Sequence, residues 1–426
     1  MKSCLLYALY TILLLGSMTG CKKEEYVPPA EGEKVPYVET NNKNLEEMLK
    51  TSSCQLFLKA YLRSNMDSVL KSKIPYTLLA PTDAVMQAAG YTDAAIATMA
   101  RTDADSLVAY YTLRGMFTKQ ELQTTSGNQQ GFSLLVNTSW RMLPGSAFFA
   151  YQHFIIASGD SLLVNGEAAG AIKNALPASN GYIYPINKWL PKAQEKTFWD
   201  VVQNDPRFSM FKEVQTKADE LFNGLYRQKC IDEFFFDPGT GWQDGKRTNY
   251  QSVFNSEPSG GVRYVSPTMM FVPVNEAFYK AGFQTVNDVM AWNNKYATPV
   301  VVDWNLYDIL PYGFPSDTVL AWHWDFGRDN LTYTYLTGKR DYRKATVFYP
   351  NDLRDEYLAN YPINNYPGVW TYLMPYSFGR TPDGRVTVKV KGSDAEPATI
   401  IGTINTYNGP MYIVDRLLIP YQFKMQ

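Results

Sequence analysis

The sequence predicts an α+β chain made of two versions of one domain, each a β-rich wedge or sandwich with flanking short helices, the second enlarged by insertions. Three observations predict it. Three sequence blocks occur twice in the same order. Each copy holds a short apolar run that stops at proline and gives way to a helix-starting polar residue. The composition is that of a folded chain, with 45% hydrophobic and 19% charged residues over 426 positions, too apolar for a disordered one.

The chain begins MKSCLLYALYTILLLGSMTG. Lys2 precedes an apolar run from Cys4 to Gly16, shorter than the roughly 20 residues a bilayer-spanning helix needs, so residues 1–20 are expected to be a signal peptide. Met18, Thr19 and Gly20 then lead into Cys21, which resembles a bacterial lipobox with Met in place of the usual Leu. Cys21 is therefore the expected lipidation site, and residues 21–43 a lipid-anchored tether rich in proline and charge. Lys22, Lys23, Glu24 and Glu25 look like the surface-export signal of lipoproteins in Bacteroidota-type Gram-negative cells. These features place the protein on the outer membrane, lipid-anchored and facing the cell exterior. Of the remaining cysteines, Cys54 and Cys230 sit in apolar segments and are expected as two separate buried thiols.

The repeat starts at residue 44. NLEEMLKTSSCQLFLKAYL (44–62) aligns with TFWDVVQNDPRFSMFKEVQ (197–215), each with the i, i+3, i+4 apolar spacing of a helix pair broken by a turn. TLLAPTDAVMQAAG (77–90) aligns with MMFVPVNEAFYKAG (269–282). Here a buried strand ends at Pro81 or Pro273, and Thr82-Asp83 or Asn275 is expected to cap the helix that follows. Finally NGYIYPINKWLP (180–191) aligns with NGPMYIVDRLLIP (408–420), a turn dipeptide leading into an apolar strand.

In this order, with Tyr110-Tyr111 and Trp322-His323 standing between the second and third blocks, the chain resembles fasciclin (FAS1) domains in tandem. The expected copies are residues 44–192 and 193–426. The resemblance implies a binding or adhesion module and no catalysis. The second copy is longer, with insertions expected as loops near 224–262 and 325–400.

Chemistry points the same way. Forty basic residues against forty-one acidic ones, with no long like-charged block, give no footprint for nucleic acid. His153 and His323 are the only histidines. His323, between two tryptophans, and His153, in an alternating strand, are expected as core residues, and no nucleophile or nucleotide motif accompanies them. No metal ligand set and no cofactor is expected. Trp242, Tyr361, Tyr366, Trp370 and Tyr372 lie in Gly/Pro/Asn-rich stretches, and their flat, hydrogen-bonding faces suit ligand contact or plain packing equally. The expected task is adhesion or ligand and partner binding at the outer membrane. The alternatives are an accessory glycan-binding component of a polysaccharide-uptake system and an extracellular glycan-acting enzyme, for which two carboxylates would suffice. Expected partners are the membrane, through the lipid, and an extracellular glycan or a surface protein.

Overall fold

The computed structural model describes residues 43–142, 147–237, 263–296, 301–303, 308–310, 314–324, 326, 346–366, 370–423 and 425. The expected leader over 1–20, Cys21, the expected tether as far as residue 42 and Trp242 lie outside the described residues. Those described fall within one compact unit, and its fold is α+β.

The first half opens with α1 (Leu45–Leu49) and α2 (Gln55–Arg63). Asn44 starts α1 with a reciprocal cap: its Oδ1 accepts from Glu47 N at 3.0 Å, while the Glu47 carboxylate accepts from Asn44 N at 2.8 Å. β1 (Tyr76–Pro81) is buried at five of its six positions and runs into α3 (Asp83–Ala88), followed by α4 (Arg101–Tyr111). Seven strands complete the half: β2 (Thr112–Arg114), β3 (Gln129–Met142), β4 (Phe148–Ser158), β5 (Ser161–Val164), β6 (Glu167–Ala171), β7 (Leu176–Ala178) and β8 (Gly181–Ile186). Their order is β6-β5-β4-β3-β2-β1-β8-β7, with β1 and β8 parallel in the register Tyr76↔Gly181 through Pro81↔Ile186. Asn187 N, just past β8, donates to Ala169 O on β6 at 2.7 Å. The sheet thus curls until its ends meet, around a core that includes Phe57, Tyr61, Leu78, Ile155 and Ile183.

The second half begins with α5 (Phe198–Asn204) and α6 (Ser209–Phe234), then β9 (Arg263–Val265), β10 (Met270–Pro273), α7 (Asn275–Lys280) and α8 (Val286–Tyr296). A short pair, β11 (Val301–Asp303) and β12 (Asp308–Leu310), and α9 (Pro315–Trp324) follow. β13 (Pro362–Tyr366) pairs with β14 (Trp370–Leu373) as a hairpin. β15 (Tyr376–Arg380), β16 (Val386–Val390), β17 (Ala398–Asn405) and β18 (Pro410–Val414) join β10 in the order β10-β18-β17-β16-β15, with β10 and β18 parallel. β18 is buried at all five positions instead of alternating, because the sheet has a core on each face. Met411 and Ile413 face the one built on α5 to α9, whereas Tyr412 and Val414 face the other, with Tyr376 and Val388.

The same bonded frame holds both halves. Asn180 Oδ1 accepts from Leu45 N at 2.9 Å, and Asn408 Oδ1 accepts from Phe198 N at 3.0 Å. Their amide groups donate to chain carbonyls ahead of the first strand, Leu70 O and Ser72 O in one case and Ser266 O in the other. Tyr184 Oη donates to Phe117 O at 2.8 Å, and Tyr412 Oη to Phe348 O at 2.6 Å. A buried asparagine with every partner supplied by main chain ties the first helix to the last strand, which are far apart in sequence.

Several expectations need correction. Asp83 and Asn275 do not cap the helices they begin. Each sits at the first helical position, where its side chain points away from its own axis. Asp83 Oδ1 instead accepts from Leu56 N at the start of α2 (2.8 Å), and Asn275 Oδ1 from Met210 N at the start of α6 (2.9 Å). These partners also show that the ungapped alignment of the helix pair slips by one residue after the turn, where Pro206–Phe208 forms an extra 3-10 turn. The turn of the first Asn-Gly is made by Ser179 and Asn180, since Ala178 already pairs with Gly181. Gly181, at φ +152°, is there because a Cβ would collide with Tyr76 O. The expected loop near 224 is helix as far as Phe234, as Ala218, Phe222, Tyr226 and Cys230 recur every four residues along one stripe against Phe314. Likewise 325–400 contains the β13–β14 hairpin and two strands of the sheet.

The halves also share structure. β9, from the second half, pairs in parallel with β3 at Trp140↔Arg263. Tyr407 enters the first core, stacked on Phe149 with ring centroids 4.1 Å apart and its hydroxyl 2.7 Å from that of Tyr151. Asp352, buried, accepts from Asn128 N (3.1 Å), Asn128 Nδ2 (2.6 Å) and Tyr349 N (3.1 Å). Burial still holds its carboxyl above the ordinary range.

Candidate functional site

His323 lies on α9, fully enclosed. Its Nδ1 donates to Phe271 O at 2.8 Å, and its Nε2 accepts from Leu418 N at 2.9 Å. Both ring nitrogens are thus engaged by the main chain, and desolvation lowers its pKa to about 4. The first half solves the same problem with a phenol. Tyr111 Oη accepts from Leu190 N at 3.1 Å and donates to Leu190 O at 3.2 Å. Leu190 and Leu418 hold the same place in the third repeated block, so imidazole and phenol do one structural task. His153, on β4, is equally enclosed; Nε2 lies 3.0 Å from Tyr110 O, Nδ1 has no partner, and burial lowers its pKa to about 4. Neither histidine reaches a surface where it could serve as a general base. Cys54 and Cys230 are separate buried thiols; burial pushes that of Cys54 up to about 11.

Of the five aromatic residues singled out in the sequence, three fall on one hairpin and a fourth stands just before it. Tyr366 pairs with Trp370 across the β13–β14 hairpin, Asn364 pairs with Tyr372, and Tyr361 immediately precedes β13. Tyr372 Oη donates to Phe326 O at 2.6 Å. Tyr361 is edge-on to Phe348, centroids 4.9 Å apart. Both rings pack against the core on that side of the second sheet.

A second aromatic site lies in the first half, and no sequence pattern had singled it out. A groove of about 520 Å³ opens between α4 and the segment after β8, a size usual for small-molecule sites, about 300–1,000 Å³. Tyr91 and Trp189, both half-buried, stack at 5.2 Å with planes 26° apart, and Trp189 leans on Tyr111 at 5.4 Å. Asp103, Ser106, Leu107 and Tyr110 line the opposite wall, the spacing of one helical face. Lys192 completes the rim with Nζ 5.9 Å from the Tyr110 ring centroid. A cue existed: Trp189 and Lys192 sit where the third block of the second copy has Leu417 and Pro420.

Among the described residues, no cluster of three or more His, Cys, Asp or Glu could hold a metal ion, and no helix is long and apolar enough to cross a membrane.

With this geometry in place, the comparisons can be set beside it. The fasciclin domain family matches residues 52–192, which covers most of the first half. That family is linked to adhesion and cell-surface binding, and its domains are non-catalytic. The FAS1 domain pair of the insect cell adhesion molecule fasciclin I is similar at 10% identity, covering 87% of this chain and 98% of that one, with a TM-score of 0.26. No curated protein matches the chain.

Proposed function

We propose that the chain is a lipid-anchored surface protein whose two tandem fasciclin-type halves bind a ligand or partner outside the outer membrane. The observation that carries this reading is the bonded frame common to both halves, one of which is matched by the fasciclin family. It supports a second, diverged copy over 193–426. The leader, Cys21 and the charged segment behind it support the anchor and the exterior location. The match to the fasciclin domain family favours a binding role over a glycan-acting enzyme.

The test has two parts. Cells fed an alkyne-bearing fatty acid should label the wild-type protein, and Cys21→Ser should abolish the label and release the protein from the membrane fraction. Protease added to intact cells should degrade the anchored protein. Absence of label in the wild type would remove the anchor from this reading, and protection from protease would remove the exterior location.

A second reading, an accessory glycan-binding component of an uptake system, is favoured by the aromatic groove at Trp189. Affinity electrophoresis of residues 22–426 against a polysaccharide panel tests it. Retardation by one polymer is expected under this reading. Migration unchanged by every polymer would turn the search to a protein partner.

A further inference from the structure

We propose that the groove between α4 and Trp189 is a binding site for a short neutral saccharide of one to three sugar units; this rests on the glycan-binding reading and locates it. The size and concavity of the groove suit a small ligand. Its chemistry narrows the class. Tyr91 and Trp189 give one wall of ring faces and polar edges, matching the C–H faces and hydroxyl rim of a pyranose. The α4 wall carries a carboxylate, Asp103, and the segment of Trp189 carries an ammonium group at the rim, Lys192, both exposed and neither in an ion pair among the described residues. An anion would meet Asp103 and a cation would meet Lys192, while an apolar ligand would strip water from both without return. Hydroxyls spread around one or two sugar units can meet both groups, donating to the carboxylate and accepting from the ammonium.

The comparison of the two halves adds a separate argument. The second half keeps the frame of Asn408, Tyr412 and Leu418 while placing Leu417 and Pro420 where the first has Trp189 and Lys192. The frame therefore does not need an indole or an ammonium group at these places. Beside the packing of Trp189 on Tyr91 and Tyr111, a ligand gives these two residues of the first half a use.

Isothermal titration of residues 22–426 with maltotriose, cellotriose, mannotriose, laminaritriose and chitotriose tests this, with the dipeptide glycylphenylalanine as a zwitterionic aromatic control. One trisaccharide is expected to bind, and Trp189→Ala and Asp103→Ala are each expected to weaken it about tenfold. Asp103 is exposed and outside the core, so its variant keeps the test sound should Trp189→Ala unfold; a thermal melt of each variant checks that. Binding that survives both groove variants but is lost in Trp370→Ala would overturn this site and leave the glycan reading standing on the hairpin. No heat from any trisaccharide at about 10 mM, far above the affinity expected of such a site, would overturn the site, and with polysaccharide retardation also absent the reading beneath it. Binding of the dipeptide alone would overturn the saccharide assignment.

Discussion

At the scale of single residues, several buried polar side chains of this protein are satisfied by main chain. His323 and Tyr111 each hold a leucine amide at the end of a repeated strand. His153 differs in that its Nδ1 has no protein partner. Burying neutral histidines links stability to pH. Their folded pKa values of about 4 lie below the unfolded value of about 6.5. As pH falls through 6.5 the unfolded chain takes up protons first, so stability drops between pH 6.5 and 4 and is level above that window. The expected loss is about 3 kcal/mol per histidine, read from urea midpoints at pH 7 and pH 4.5. His323→Gln should lower the stability at pH 7 and make this pH dependence about half as steep. An unchanged slope would show that His323 does not titrate as its surroundings require. Asn408 supplies a second case. Asn408→Ala removes an acceptor from Phe198 N and a donor from Ser266 O. The expected cost is about 2–4 kcal/mol in chemical denaturation, whereas substitution of exposed Asn204 should cost under about 0.5 kcal/mol.

At the scale of elements, part of the extra length of the second half forms regular structure among the described residues. α6 has 26 residues where α2 has 9, and its added turns carry a stripe of one apolar residue every four. Gly224 lies within that continuous helix, and a Cβ there would meet no atom within 4 Å. Gly224→Ala should stabilise the protein by roughly 0.5–1 kcal/mol, raising the thermal midpoint; a fall would mean that the helix bends or contacts something at that position. The stripe was present in the sequence but hidden inside a stretch that also contains glycine and charge. The strands of 346–400 were hidden for another reason. YSFGR and VTVKV alternate only briefly, and a five-residue strand stands out only once its neighbours in the sheet are known.

At the scale of the whole molecule, the two halves are fastened by parts that neither repeat contains. β9 extends the first sheet, Tyr407 fills the first core, and Asp352 gathers three amide donors, two of them from Asn128. This joint should make residues 41–426 unfold in one step. Asp352→Ala leaves those amides without their acceptor, with an expected cost of about 2–4 kcal/mol, and should split the single calorimetric transition into two. A single transition in the variant would mean that Tyr407 and β9 couple the halves without it.

By itself the sequence determined the α+β class, the repeated blocks and the structural character of both histidines. Each is written locally: a strand ending at proline, an Asn-Gly pair and an apolar stripe carry their meaning within about ten residues. It also held the asymmetry between Trp189 and Leu417, although only the groove gives that difference a use. The tertiary structure alone decided which helix Asp83 and Asn275 cap, how Tyr111 replaces a histidine, where the halves join, and that Tyr91 stacks on Trp189 opposite Asp103. These are contacts between residues dozens to hundreds of positions apart. A side chain's partner across such a distance is set by the packing of whole elements, for which no local pattern of residue types is a record.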